Sequence, residues 1–536
     1  MSTAPSLDRP SGPAGPDGSA PLLPHDQRRW WALAGLAVGL AGLGASYLAA
    51  RLLAVDADPI TAVADGVIRL TPGGVVEWAI QAFGHRDKLV LLLGILIVVG
   101  AVFAGLGVLA RRAVALPLAG YIVLAAVGGL AILGRTGAGA LDQLPVVVGF
   151  LVWSVGLGWA VEPLRRGELA GLHDPAVARG EAGMTRRGVL FRAAVLGAAA
   201  VVGGAVGRLA GRGRAAVEEA RAGIRIPGVT SPPVPAGAHP DVPGLPSWQT
   251  SAADFYQIHT VFVPPAIAPQ DWSLRIHGLV ERELTLTYDD LLAREITQDW
   301  ITLNCVSNPV GGDLVGNAWW SGVRLAPILA ELGISPDADA VLQTSSDGWT
   351  CGTPLAALTD DRNAMLALAM NGEPLTIDHG FPVRTLVPGL YGYVSGTKWV
   401  VDLEVTRFDR IEAYWTRRGW GELGPVKIAS RIDVPASGDS VPAGEVVVAG
   451  AAWMQHTGIR GVEVSLDGGT WQPAELGSVP GVDSWVQWSA RVQAAPGDHT
   501  VRARAIDADG RVQTAVVRDV LPDGATGLDE RDFTAT

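Results

Sequence analysis

Cys305 stands in the run Thr302-Leu303-Asn304-Cys305-Val306-Ser307-Asn308-Pro309-Val310-Gly311-Gly312, a loop rich in Gly, Asn and Pro. A thiolate in such a loop suits a soft metal that arrives with its other ligands already attached. Only one other cysteine, Cys351, occurs in 536 residues, so neither a CxxC metal site nor a disulfide framework can be built. On spacing alone, a buried structural thiol or a Cys305–Cys351 disulfide is the commoner outcome for a cysteine of this kind.

Three further blocks change that reading. The first follows the cysteine loop as Gly316-Asn317-Ala318-Trp319-Trp320-Ser321-Gly322-Val323-Arg324-Leu325. The second is Met370-Asn371-Gly372-Glu373-Pro374-Leu375, leading into Asp378-His379-Gly380-Phe381-Pro382-Val383-Arg384 and on to Gly396-Thr397-Lys398-Trp399. The third is Ser430-Arg431-Ile432-Asp433-Val434-Pro435. In this order, over roughly residues 250–525, the blocks resemble the sulfite oxidase family of molybdenum–molybdopterin enzymes. Three ordered blocks are far more specific than any one of them.

The resemblance implies roles. Cys305 becomes the single protein ligand of molybdenum, the catalytic centre. His379, Arg384 and Lys398, with Gly396 and Thr397 beside the last, become contacts to the phosphate and pterin of the cofactor, which needs basic side chains and close backbone approach. Phe255-Tyr256-Gln257-Ile258-His259 resembles the family segment that lies along the pterin, which makes Tyr256 and His259 contacts. A solvated loop histidine accounts for His259 almost as well. Asp347 is a candidate acceptor for pterin hydrogen bonds, although an Asp-Gly turn explains it equally. Cys351 matches no ligand position and reads as a small core residue. Three departures bear on substrate: Leu368 stands where sulfite oxidases place an active-site tyrosine, and Gln257-Ile258 and Pro309-Val310 stand where family members carry arginines. A doubly charged sulfite ion needs such cations, because burying an unpaired charge is costly. A neutral or weakly charged small molecule is the better expectation.

Elsewhere the chain must hold this site in place. Hydrophobic residues make up 49% and charged residues 18%, and nearly all the apolar bias precedes residue 210. Residues 30–50, 89–110, 113–134 and 144–161 carry no charge, and each is long enough to cross a hydrocarbon core of roughly 30 Å. A fifth run, 193–207, is shorter and built from Ala, Gly and Val. Residues 28–210 are therefore expected to form a transmembrane region of five helices, preceded by a Pro/Gly/Ser-rich disordered tail at 1–27. Arg28, Arg29, Arg111, Arg112, Arg165, Arg166, Arg179, Arg186 and Arg187 fall on one side if the helices alternate, which sets the N-terminus in the cytoplasm and everything after residue 210 outside. Arg208, Arg212 and Arg214 oppose that arrangement. Thr185-Arg186-Arg187-Gly188-Val189-Leu190, before a weakly hydrophobic helix, resembles a twin-arginine export signal for folded, cofactor-loaded domains; a basic flank on a membrane helix is the plainer alternative.

No histidine lies inside a span, so no haem is expected there, and the spans lack the buried charges that mark a transport path. Anchoring and targeting are the roles this leaves. The net charge of −12 argues against nucleic acid as partner. With no CxxCH haem-attachment motif, electrons must pass to or from a separate cytochrome or quinone.

Residues 211–250 form a Pro-rich linker. Residues 251–410 mix short strands and helices as an α+β molybdopterin-binding domain. Residues 411–525 alternate strands with Gly and Pro turns, Asp467-Gly468-Gly469 being a hairpin signal, as expected of an Ig-like β-sandwich. The resemblance adds homodimerisation through this domain; residues 526–536 are expected to be a tail. The expected whole is a membrane-anchored, extracytoplasmic oxidoreductase of the sulfite oxidase type, transferring oxygen atoms in two-electron steps. Its alternatives are a sulfoxide reductase of the same fold and a non-catalytic scaffold that has lost the cofactor.

Overall fold

The computed structural model describes residues 25–53, 58–83, 87–135, 139–173, 175–210 and 212–536. The first 24 residues of the expected N-terminal tail lie outside the described residues. Helices come first: α1 (His25–Leu52), α2 (Pro59–Leu70), α3 (Gly73–Phe83), α4 (Asp87–Leu109), α5 (Ala115–Leu133), α6 (Leu144–His173), α7 (Pro175–Ala210) and α8 (Arg212–Gly223). Five stretches, Arg28–Leu52, Leu89–Leu109, Ala115–Leu133, Ala140–Glu162 and Arg187–Val206, are long and apolar enough to cross a membrane. These match the five runs read from hydropathy. The fifth run is the apolar end of α7, and Thr185–Leu190 lies within that helix.

The chain divides into two compact units. One comprises residues 1–49, 94–127 and 145–206; the other comprises 50–93, 128–144 and 207–536. The first is a helical bundle whose core includes Trp31, Val38, Phe103, Tyr121, Trp153 and Leu157. A Cβ on Gly35 would lie 2.6 Å from the Gly107 Cα, so α1 and α4 meet backbone to backbone, as small residues permit between membrane helices. Trp153 donates its indole N–H to the Gly39 carbonyl at 3.0 Å.

The second unit contains the soluble part. Its strands are β1 (Ser273–Gly278), β2 (Leu284–Thr287), β3 (Ile296–Asn304), β4 (Val315–Arg324), β5 (Ala340–Ser345), β6 (Thr350–Pro354), β7 (Met365–Met370), β8 (Glu373–Pro374), β9 (Arg384–Leu386) and β10 (Val400–Thr406). Short helices α9 (Tyr288–Leu292), α10 (Leu325–Ala330), α11 (Leu355–Thr359) and α12 (Gly392–Ser395) interrupt them. Two sheets result, one ordered β2-β1-β10-β5-β6 and the other β3-β4-β7-β8 with β9 on β7. This is the mixed architecture expected of residues 251–410. β7, Met365–Met370, is buried at every position, so it reads as a continuous apolar run without alternation.

The C-terminal strands are β11 (Ala429–Val434), β12 (Ser440–Val441), β13 (Gly444–Trp453), β14 (Ile459–Leu466), β15 (Gln472–Pro473), β16 (Glu475–Leu476), β17 (Val486–Ala494), β18 (Gly497–Asp507) and β19 (Asp529–Ala535). They form two sheets, β11-β13-β17-β16 and β12-β19-β18-β14-β15, which share a core of residues such as Val448, Val464, Trp488, Val501 and Phe533. Asp467 and Gly468 both have positive φ in the five-residue β14–β15 loop, as the centre of a β-turn closed by the Gly469 N–H on the Leu466 carbonyl at 2.8 Å.

Two boundaries differ from expectation. The expected tail holds β19, which pairs with β18 over seven residues and buries Phe533, so it is structural. Short polar sequences such as Asp-Glu-Arg-Asp conceal this, because only alternate residues face the core. The linker opens with α8 before it becomes extended from Ile224 onward.

At Gly322 the β4–β7 ladder shifts register, and an added Cβ would lie 2.2 Å from the Leu366 carbonyl oxygen. Gly322→Ala must therefore push two central strands apart. A loss of about 1–3 kcal/mol follows, read as an earlier thermal transition of the detergent-solubilised protein.

Candidate cofactor site

β3 delivers Cys305 one residue past its end. The Cys305 N–H donates to the Leu314 carbonyl at 2.9 Å, and its own carbonyl accepts from Asn308 N–H at 3.2 Å. The Asn308 carboxamide closes the loop by accepting the Leu314 N–H at 2.9 Å. Gln455 of the C-terminal region donates to the Thr302 carbonyl at 2.9 Å and to the Asn304 side chain, bracing the strand immediately before the thiol. Cys305 and Cys351 form no disulfide. The Cys351 thiol contacts Thr397 Oγ1 at 3.2 Å, and burial pushes it up to about 12, so it is an inert core group as expected.

Cys305 lines a cavity. Tyr256, His259, Asp347, Arg384, Gly396 and Lys398 line the same cavity. Seven of the nine candidate residues, drawn from segments up to 142 positions apart (Tyr256 to Lys398), thus converge. His379 and Thr397 stand behind the wall. His379 is fully buried; its Nε2 donates to the Ala252 carbonyl at 2.9 Å and its carbonyl accepts from Arg384 Nη1 at 3.3 Å. Thr397 donates its N–H to Thr385 Oγ1 at 2.8 Å, within a buried network that runs through Gln343 to Thr353. Both residues support the loop that carries the lining groups.

Arg384 is the electrostatic centre. It is 3% exposed, and no carboxylate pairs with it among the described residues. Its hydrogen bonds go to the carbonyls of His379 and Thr385, and its guanidinium lies 5.3 Å from the Trp320 ring centroid. Burial lowers it to about 10. Gly396 allows this placement, since a Cβ there would come within 3.0 Å of Arg384 Nη2. Lys398 donates from Nζ to the Asp378 carbonyl at 2.8 Å. Burial of its hydroxyl, beside Cys305, raises Tyr256 well above the ordinary phenol value. The His259 ring meets the Trp399 ring edge-on at 5.9 Å. Asp347 both makes a turn, accepting the Trp349 N–H at 2.8 Å, and lines the cavity; burial raises its carboxyl.

Much of the remaining wall is aromatic. Trp349, Tyr393, Trp399, Trp415 and Trp420 line it, and sequence reasoning named none of them as site residues. Trp415 and Trp420 fall after residue 410, in the stretch expected to belong to the C-terminal domain. Their spacing in Trp415-Thr-Arg-Arg-Gly-Trp420 carried no metal or cofactor signal; only the fold returns this segment to the cavity, by packing Trp420 on Tyr393 with centroids 5.8 Å apart.

Residues 260–415 match the family described as oxidoreductase molybdopterin binding domain. The chain is 29% identical to the mitochondrial sulfite oxidase of Drosophila melanogaster over 334 residues, covering 52% of this chain and 58% of that protein. It is 32% identical to the uncharacterized oxidoreductase YuiH of Bacillus subtilis over 180 residues, covering 34% of this chain and 87% of that one. The solved sulfane dehydrogenase SoxCD of Paracoccus pantotrophus superposes with a TM-score of 0.48 at 24% identity, over 53% of this chain and 81% of that chain. The family match and the sequence relatives place the chain among the molybdopterin-binding oxidoreductases related to sulfite oxidase. It spans a little over half the length of the animal mitochondrial sulfite oxidases it matches.

The cavity fits the cofactor this family implies. A buried guanidinium on the cavity wall without a carboxylate partner suits an anionic group.

Burial lowers His379 from 6.5 to about 4, so the folded protein holds it neutral. Unfolding then takes up a proton between these values. Its contribution to stability is complete above pH 6.5 and is lost as pH falls toward 4, at up to about 1.4 kcal/mol per unit. Thermal unfolding of cofactor-free protein from pH 7 to 4.5 should show this slope, and His379→Gln should flatten it.

Proposed function

We propose that this protein is a membrane-anchored molybdenum–molybdopterin oxidoreductase of the sulfite oxidase type, acting on a small substrate outside the cytoplasm. The observation that carries the reading is the meeting of the Cys305 thiol with a carboxylate-free, buried Arg384 in one cavity. Cys305 would hold the metal, while Arg384 and Lys398, with Gly396 giving close approach, would hold the anionic and pterin parts. When bound, the cofactor supplies two-electron oxygen-atom transfer.

The chain's own groups set the conditions. Arg384 offsets cofactor charge away from water, where a charge interaction is strongest. Tyr256 keeps its proton at ordinary pH, which makes it a hydrogen-bond donor and no base. Tyr256 and His259 would contact the pterin and Asp347 would accept a hydrogen bond from it, while His379 and Thr397 hold the loop behind Arg384 and Lys398. The aromatic wall keeps water from the reacting end.

Ile258 on the wall, with Gln257, Pro309 and Val310 nearby in sequence, adds no cation, so an uncharged or weakly charged substrate is favoured over sulfite. Small sulfur compounds suit this aromatic site. In the oxidative direction the substrate gains an oxygen from water, and two protons and two electrons leave, the electrons to a separate cytochrome or quinone. The same surroundings suit an uncharged sulfoxide in the reverse direction. Assays with reduced dye against sulfoxides, and with oxidised acceptor against sulfides and sulfite, separate the two. The well-formed cavity speaks against a scaffold that has lost its cofactor.

Five apolar spans and the arginine distribution support an N-terminus in the cytoplasm and an exported catalytic region, with Arg186-Arg187 as the export signal. Self-pairing through the C-terminal Ig-like sandwich is supported by Val516 and Val517, which stay 58% and 84% exposed.

The purified chain should contain about one molybdenum and one pterin per polypeptide. Cys305→Ser should abolish turnover and strip the metal; full metal content with undiminished turnover would refute the assignment. Arg384→Met, which removes only the charge, should lower pterin content several-fold. Replacing Arg186 and Arg187 by lysine should leave the catalytic region accessible only from the cytoplasm in protease-protection assays; normal export would show that the pair is a plain basic flank.

A further inference from the structure

Helix α2 is no membrane span, and the chemistry proposed above makes no use of it. It nevertheless belongs to the same compact unit as the cavity. Its start is well made: Pro59 occupies the first turn, and the Asp58 carboxylate accepts the N–H groups of Ile60 and Thr61. Asp65, in the middle of this 12-residue helix, is 5% exposed. Helix formation gives no reason to bury a carboxylate, and burial is costly unless partners answer it.

The partners are specific. Asp65 Oδ1 accepts the Phe262 N–H at 2.7 Å, and Oδ2 is paired with the Arg135 guanidinium. Phe262 lies three residues beyond His259, and Thr260 between them is on the cavity wall. At the C-terminal end of α2, the Arg69 carbonyl accepts a hydrogen bond from Arg418. Arg418 in turn stacks 3.7 Å over the Tyr414 ring, between the two wall residues Trp415 and Trp420. A crevice beside α2 shares Thr260, Asp347 and Trp349 with the cavity.

We propose that Asp65 is a positioning residue of the cofactor site, where α2 ties the 258–262 segment through Asp65 and the 414–420 segment through the Arg69 carbonyl into the cavity wall. The stretch between the first two apolar spans thus helps to build the site, beyond any anchoring role. The proposal rests on reading the cavity as the molybdopterin site.

The test uses the full, cofactor-loaded chain in detergent. Two quantities are read: the rate of pterin release, and amide exchange in peptides covering residues 258–263. In Asp65→Ala both should rise about tenfold or more, the scale of a lost charge-assisted hydrogen bond, while peptides from β17 exchange as in the wild type. Asp65→Asn keeps an acceptor oxygen without the charge and should fall between. Wild-type values for either quantity in Asp65→Ala overturn the proposal. If that variant does not accumulate, Asp65→Asn decides on the same two readings, wild-type values for either again overturning it. A wild-type protein without pterin would sink the cofactor reading instead, and exchange at 258–263 would then judge the clamp alone.

Discussion

A guanidinium held away from water without a carboxylate to answer it is the constraint around which the site is organised. Burial this deep costs several kcal/mol for an unpaired ion, and the protein repays little of it with neutral carbonyls. The two contacts from Arg384 to the carbonyls of His379 and Thr385 are long, at 3.3 and 3.4 Å. Everything adjacent is arranged to keep that cation in place. Gly380, at φ +108°, leaves room for the side chains of Arg384 and Lys398 to pass, and Gly396 leaves room for the guanidinium. The buried Gln343–Thr385–Thr397 network pins the two segments that bear the cations. A protein that tolerates such a charge is built to receive its complement.

The thiol is held by different means. Cys305 follows the end of a strand of a two-sheet core, and Gln455 of the C-terminal region braces that strand. Asp483 adds a further tie, its carbonyl accepting the Thr302 N–H at 2.9 Å and its carboxylate the His456 N–H at 2.7 Å. The C-terminal strands thus contribute to the rigidity of the Cys305 loop. A loop fixed from both sides presents its sulfur at low reorganisation cost, which is what a ligand to a preassembled cofactor requires.

Much of this was legible in the sequence because it is written in local residue types. Uncharged runs of membrane length, the solitary cysteine loop, the Gly-Thr-Lys and His-Gly-Phe-Pro-Val-Arg blocks, and period-two strands with Gly turns each depend on neighbours a few positions away. Hydropathy and turn chemistry act at that range, so the element types could be named, whereas the seven cavity-lining residues were named through the resemblance of the ordered blocks to the sulfite oxidase family. The blocks also led to His379 and Thr397, whose types suit a cofactor but whose side chains the fold spends on bracing the wall.

What only the tertiary structure decided is which distant segments share a surface. Trp415 and Trp420 join the wall, β19 completes a sheet, and α2 touches the His259 segment, because the burial of apolar area and the pairing of buried charges select partners by space. Asp65 and Phe262 lie 197 positions apart, and no composition or period links them. Residue types set by themselves what chemistry was possible here. Packing, which must satisfy every buried polar group at once, settled which residues carry it and which hold them.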